Sequence, residues 1–230
     1  MALLRGYGAA PRPARHASRR RGPAVAAMMV AALAIAACAT IPIGEERELY
    51  GRTIVQWIGE DDFVYRKLGS EPLTFKASFL ATPIVPDDMY TDGGSVPRIF
   101  WNVPGLSPWG LGPAYIMHDW VFITHRCQWP DVPEEIRRIT FEQSARILAE
   151  VGASLVDAGL IENDRLAEVV WAVRTRYARA LWDTPGSAED CRRPPPLPPT
   201  IAALGAPAVP NVVVDFTIPD AGRRNAPGRR

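Results

Sequence analysis

Lysine is nearly missing from this 230-residue chain: Lys67 and Lys76 stand alone among 26 basic residues. Alanine and proline are abundant, so the preference for arginine reads as a coding bias rather than a signal of function. Histidine is scarcer than the length would suggest, with only His16, His118 and His125, and cysteine is limited to Cys38, Cys127 and Cys191. These shortages exclude a good deal. There is no His-Glu-x-x-His helix of a zinc protease and no Gly-x-Ser-x-Gly elbow of a serine hydrolase. A phosphohydrolase of the His…His-Asp…Asp kind needs a second histidine upstream of His118, and beyond residue 37 there is none. No apolar run reaches the eighteen or so residues of a membrane span, and mean hydropathy is −0.05.

The first 37 residues hold six arginines and no acid. Arg19-Arg20-Arg21 and Pro23 precede the 14-residue apolar run 24–37, the length of a signal-peptide core. The run ends in Ile35-Ala36-Ala37-Cys38, an aliphatic residue and two small ones before a cysteine. This is a lipobox. It predicts a signal peptide over residues 1–37, cleavage before Cys38, and acyl chains on that cysteine holding the protein at a membrane. Ala39 after the cysteine favours the periplasmic face of an outer membrane. Without residues 1–37 the chain carries 20 basic against 25 acidic residues, a net charge of −5. A basic footprint for nucleic acid is therefore absent. In an oxidising compartment Cys127 and Cys191 are candidates for a disulfide, although two independent thiols fit the sequence equally.

Residues 38–48 read as a tether and 49–183 as one α+β domain. Short β-prone runs at 53–57, 63–65, 73–75 and 82–85, separated by Gly and Asp turns, predict a small N-terminal antiparallel sheet. A three-helix core follows, over about 113–126, 133–151 and 164–182, the last with Leu166, Val169, Val170, Val173, Tyr177 and Leu181 on one apolar stripe. Residues 184–230 hold 10 of the 23 prolines and read as a disordered tail, with one short strand at 212–216.

The chemistry-bearing residues are few. His118-Asp119 lies inside an apolar helix, where a polar pair needs a reason. One ion shared by His118 and His125 is excluded, since residues seven apart on a helix stand about 10 Å apart along its axis. Calcium wants six to eight oxygens. Asp92, the carbonyls of Gly93 and Gly94, and Asp119 supply several, which would leave His118 as a general base on water. A second reading stays open beside this one: the same residues act as a structural clasp.

Two resemblances follow from these motifs. Thr91-Asp92-Gly93-Gly94-Ser95-Val96-Pro97-Arg98, followed by His118-Asp119-Trp120-Val121-Phe122, resembles the phage and bacterial family called domain of unknown function 1353. The likeness spans roughly residues 72–182. Gly94 and Phe122 depart from it, where that family usually has alanine and tyrosine. The family also tends to carry an acid in the next helix, and Glu142 is the nearest candidate here. Asp92-Gly93-x-Ser95 with Pro113-Ala114-x-x-x-His118-Asp119 also resembles the secreted calcium-dependent phospholipases. That likeness implies calcium on the two aspartates and a water-activating histidine. Where those enzymes carry a cysteine in each motif, this chain has Gly94 and Tyr115.

The expectation is thus an envelope lipoprotein that hydrolyses lipid or another ester with calcium, using His118, Asp119 and Glu142. The alternative is a non-catalytic or prophage-derived envelope protein, which binds a protein partner through the Trp101–Trp109 loop and the proline-rich tail.

Overall fold

The computed structural model describes residues 41–60, 62–94, 107, 109–162, 166–199, 201, 205 and 208–220. The signal peptide, Cys38, Ser95 and most of the 101–109 loop lie outside the described residues.

The architecture is mixed α+β. The strands are β1 (Glu48–Gly59), β2 (Asp62–Arg66), β3 (Thr74–Lys76), β4 (Met89–Tyr90) and β5 (Val212–Ile218). The helices α1 (Gly112–Cys127), α2 (Glu134–Arg137), α3 (Phe141–Asp157), α4 (Leu166–Ala172) and α5 (Arg176–Trp182) stand between β4 and β5. The sheet is antiparallel in the order β3-β1-β2-β4, with β5 also paired to β1. Strand β1 is its backbone. Residues 53–56 are buried without alternation, because the strand is covered on both faces. Val55 joins the main core with Tyr65, Phe75 and the helices, while Ile54 faces a smaller cluster with Leu68 and Val209. An unbroken buried run of this kind is the pattern of a strand enclosed on both sides.

Expectation and structure part at four places. Pro83 within the run at 82–85 and Pro86 just after it remove ladder donors, so only Ile84 pairs, in a single bridge with Phe75. The helix expected over 133–151 is two helices. Thr140 caps α3 through a reciprocal box with Gln143 and starts a new helix there. The helix expected over 164–182 also divides, since the Thr175 hydroxyl accepts from the Ala178 amide and begins α5. The break turns the apolar stripe. Leu166, Val169 and Val170 are buried, but Tyr177 is 73% exposed and Leu181 40%.

The fourth correction concerns the segments taken for tether and tail. Gly44 donates to the buried Glu150 carboxylate on α3, and Arg47 bonds Ser154 and Asp157 on the same helix. The chain is therefore tied to the domain already at Gly44 and Arg47. The described residues between 184 and 220 are not free either. Cys191 is disulfide-bonded to Cys127 at the end of α1, the Pro195 carbonyl accepts from Arg66, and β5 pairs with β1 from Gly51 to Gln56. Composition suggested disorder, but β-branched Val212–Val214 and the disulfide bring the segment back onto the sheet.

Candidate functional site

Helix α1 supplies the chemistry. Pro113 sits in its first turn, where its missing N–H costs nothing. Residues 112–118 are buried in succession, so any polar atom on that stretch has to find a partner inside the protein. Tyr115 and His118 are three apart and Asp119 four from Tyr115, which places all three on one side of the helix. The Tyr115 hydroxyl and His118 Nε2 are buried and have no hydrogen-bond partner among the described residues. Such atoms are rare in folded proteins, at a cost of about 1–3 kcal/mol each. Burial, with a contribution from the Asp119 charge, pushes the Tyr115 hydroxyl up to about 12, so it stays a neutral phenol.

The Thr-Asp-Gly turn is tied to this helix. The Gly93 amide donates to Thr91 Oγ1 at 3.0 Å, and that hydroxyl donates to Asp119 Oδ2 at 3.1 Å. The turn needs a glycine at 93, whose φ is 77°. His118 Nδ1 stands 4.0 Å from Asp119 Oδ1, an electrostatic contact longer than a hydrogen bond. The Asp119 carboxyl is held above the usual carboxylate range. Burial is the main cause and the charge of Asp92 adds to it, while His118 and the Thr91 hydroxyl pull the other way. Asp92 itself is exposed. The structure thus brings together Asp92, Gly93, Gly94, His118 and Asp119 from two motifs separated by about twenty residues of chain. Tyr115 and Thr91 belong with them. The motifs contained both, but nothing in their residue types announced a partner.

Glu142 is placed elsewhere. It lies exposed in the first turn of α3 and pairs with Arg179 at 3.0 Å, and no contact among the described residues joins it to His118 or Asp119. The other end of α1 is aromatic. The His118 ring meets Phe122 at 5.7 Å, Phe122 meets Trp182 edge-on at 5.1 Å, and His125 stacks on Trp182 at 4.0 Å. Burial holds the His125 imidazole below its ordinary value, against the opposing Arg137 carbonyl and Asp183 charge.

Among the described residues no cluster of three or more His, Cys, Asp or Glu side chains could hold a metal ion. A hard cation at the Thr-Asp-Gly turn would have the carboxylates of Asp92 and Asp119 and nearby backbone carbonyls as its oxygen donors. No helix among the described residues is long and apolar enough to cross a membrane. The chain matches no protein-family model, no curated protein and no solved structure.

Proposed function

We propose that the chain is a calcium-assisted hydrolase of lipid or a related envelope ester, with His118 as its general base. One observation carries the reading. His118 Nε2 is buried and without a hydrogen-bond partner among the described residues, on the helix face that also bears Asp119. An Nδ1–H donated to Asp119, once the 4.0 Å contact closes, would leave Nε2 as the nitrogen that takes a proton from water. The oxygen of that water then bonds the ester carbonyl carbon. The bond to the alcohol oxygen breaks, and the proton on Nε2 passes to the departing alcohol. Asp119 offsets the positive charge that His118 carries between these events.

The residues fit a calcium ion by their chemistry. Asp92, Asp119 and the carbonyls of Gly93 and Gly94 are hard oxygen donors, and the raised pKa of the half-buried Asp119 marks a carboxylate that a cation would relieve. When bound there, the ion supplies positive charge to the developing oxyanion. The positions where the calcium-dependent phospholipases carry cysteines also support the likeness, since Gly94 and Tyr115 lie against each other. Lipidation of Cys38 would bring substrate close. With Gly44 fixed to α3, the six-residue leash reaches about 20 Å at most.

The test is release of fatty acid from phospholipid vesicles, with and without calcium, by the wild type and His118→Ala. The clasp reading keeps one observation of its own, the Gly93–Thr91–Asp119 hydrogen-bond chain that ties turn to helix. It predicts that Thr91→Val and Asp119→Ala lower the melting temperature while no lipid turnover occurs in any variant.

A further inference from the structure

Outside the His118 site, aromatic rings and carboxylates converge on Arg193. Its guanidinium lies over the Trp129 ring at 3.8 Å and faces Trp120 at 5.6 Å. The two indoles stand 5.7 Å apart at 43°. Around the edge, Arg193 Nη2 meets both carboxylate oxygens of Asp131 at 3.1 and 2.9 Å, and Nη1 faces Asp87 at 3.6 Å. Flat aromatic faces with carboxylates at the rim suit a planar fork of donors, where a spherical ammonium would satisfy one part or the other.

The group filling this cage comes from the proline-rich segment, the run Arg192-Arg193-Pro194-Pro195-Pro196, which carries no helix or strand as far as Pro198. That segment is strapped across the domain. Arg192 lies over Tyr90 at 4.3 Å, the Pro195 carbonyl accepts from Arg66 at 2.8 Å, and the disulfide holds Cys191 two residues before Arg193. An aromatic groove holding an arginine beside prolines is also the way domains recognise proline-rich peptides in trans. The cage is open to solvent. The side chains of Arg193, Asp87 and Asp131 are 30, 46 and 61% exposed. Two cavities adjoin it, one of about 240 Å³ beside Trp120, Asp87, Asp131 and Ile136, the other of about 480 Å³ beside Trp129, Asp88 and Pro196.

We propose that Trp120, Trp129, Asp87 and Asp131 form a recognition site for an arginine side chain of a proline-rich peptide, and that Arg193 occupies it as an intramolecular ligand. A partner's arginine gains the cage only by displacing the strap, so the chain regulates its own binding site. The site is independent of the proposed hydrolysis, and either can fail without the other.

The full chain with Arg193→Ala, and separately with Arg193→Gln, is titrated with N-acetyl-arginine amide and N-acetyl-lysine amide. Tryptophan fluorescence and calorimetry report binding, and near-ultraviolet circular dichroism reports the fold. Both variants are expected to stay folded and to bind the arginine probe at least tenfold more tightly than the wild type and tenfold more tightly than the lysine probe. Adding Trp129→Ala removes that binding. Equal affinity in wild type and variants, lysine bound as well as arginine, or binding that survives Trp129→Ala overturns the proposal. Loss of native dichroism in both variants also overturns it, because Arg193 is then a fixed part of the fold rather than a displaceable ligand.

Discussion

A Cβ atom at position 94 would stand 2.6 Å from Cζ of Tyr115, so the backbone at Gly94 packs directly on the ring of a buried tyrosine. The two residues come from the two motifs of the candidate site, and their contact seats the Thr-Asp-Gly turn on helix α1. Gly94→Ala is expected to destabilise the protein by about 1–3 kcal/mol through overpacking. Tyr115→Leu, which removes the crowded end of the ring, recovers part of that loss in the double variant. A double-mutant cycle from denaturant melts measures the coupling, and strict additivity would contradict the contact.

Asp119 sets a pH dependence whose sign follows from its raised pKa. The folded state keeps the proton where the unfolded chain has released it. The stabilising contribution is complete below the ordinary carboxylate value and is lost as pH rises through the folded pKa. Without metal, Asp119→Asn is therefore expected to melt higher than wild type at pH 7, with the difference closing in acid. Calcium should raise the melting temperature of the wild type and not of the variant. A variant less stable than wild type at pH 7 in EDTA would contradict this account of Asp119.

Glu150 works in the opposite sense. Burial alone would raise its pKa, but hydrogen bonds from the Ser78 hydroxyl and amide, the Gly44 amide and Arg146 bring it below the usual value. Its stabilisation is present above the unfolded carboxylate pKa and is lost as pH falls through the lowered folded one. Glu150→Ala leaves these donors and Arg146 facing an empty space, and is expected to cost about 3–5 kcal/mol. A urea melt at pH 7 checks the size, and a cost below about 1 kcal/mol would show that water replaces the carboxylate there.

The disulfide closes a separation of 64 residues and holds the strap beside α1. In the chain-entropy account a loop of this length is worth about 4 kcal/mol. Cys191→Ser is expected to lower the melting temperature by about that equivalent, with an identical melt for the reduced wild type. Unequal melts for these two would mean that the serine variant loses more than the bond.

Much of this organisation was legible in the sequence. The sequence places helix α1 within about a residue at each end, because Pro113 opens it and its apolar run is continuous. The sequence pairs the Thr91–Gly94 and His118-Asp119 motifs, and the structure joins them through the Thr91 hydroxyl and Asp119. Other features depended on long-range contacts that no local pattern reveals. Thr140 and Thr175 look like ordinary helix residues until their hydroxyls are seen to cap new helices. Glu150 reads as one solvated acid among many, although among the described residues it is the carboxylate buried most completely. The strap around Arg193 was hidden by composition, since proline-rich runs are usually unstructured and nothing near Arg193 names Trp129 or Asp131 as its partners. The resemblance points to Glu142 by position alone, and its neighbour in space is Arg179.

The central claim is that His118 Nε2 takes a proton from water at a calcium-dependent site. The most direct measurement is fatty-acid release from phospholipid vesicles by the wild type and His118→Ala, in calcium and in EDTA, with melting curves recorded for both proteins. The account predicts release by the wild type in calcium alone, and at least a hundredfold loss in a folded His118→Ala. Equal release by the two proteins, full activity in EDTA, or no release by the wild type under any condition would contradict it.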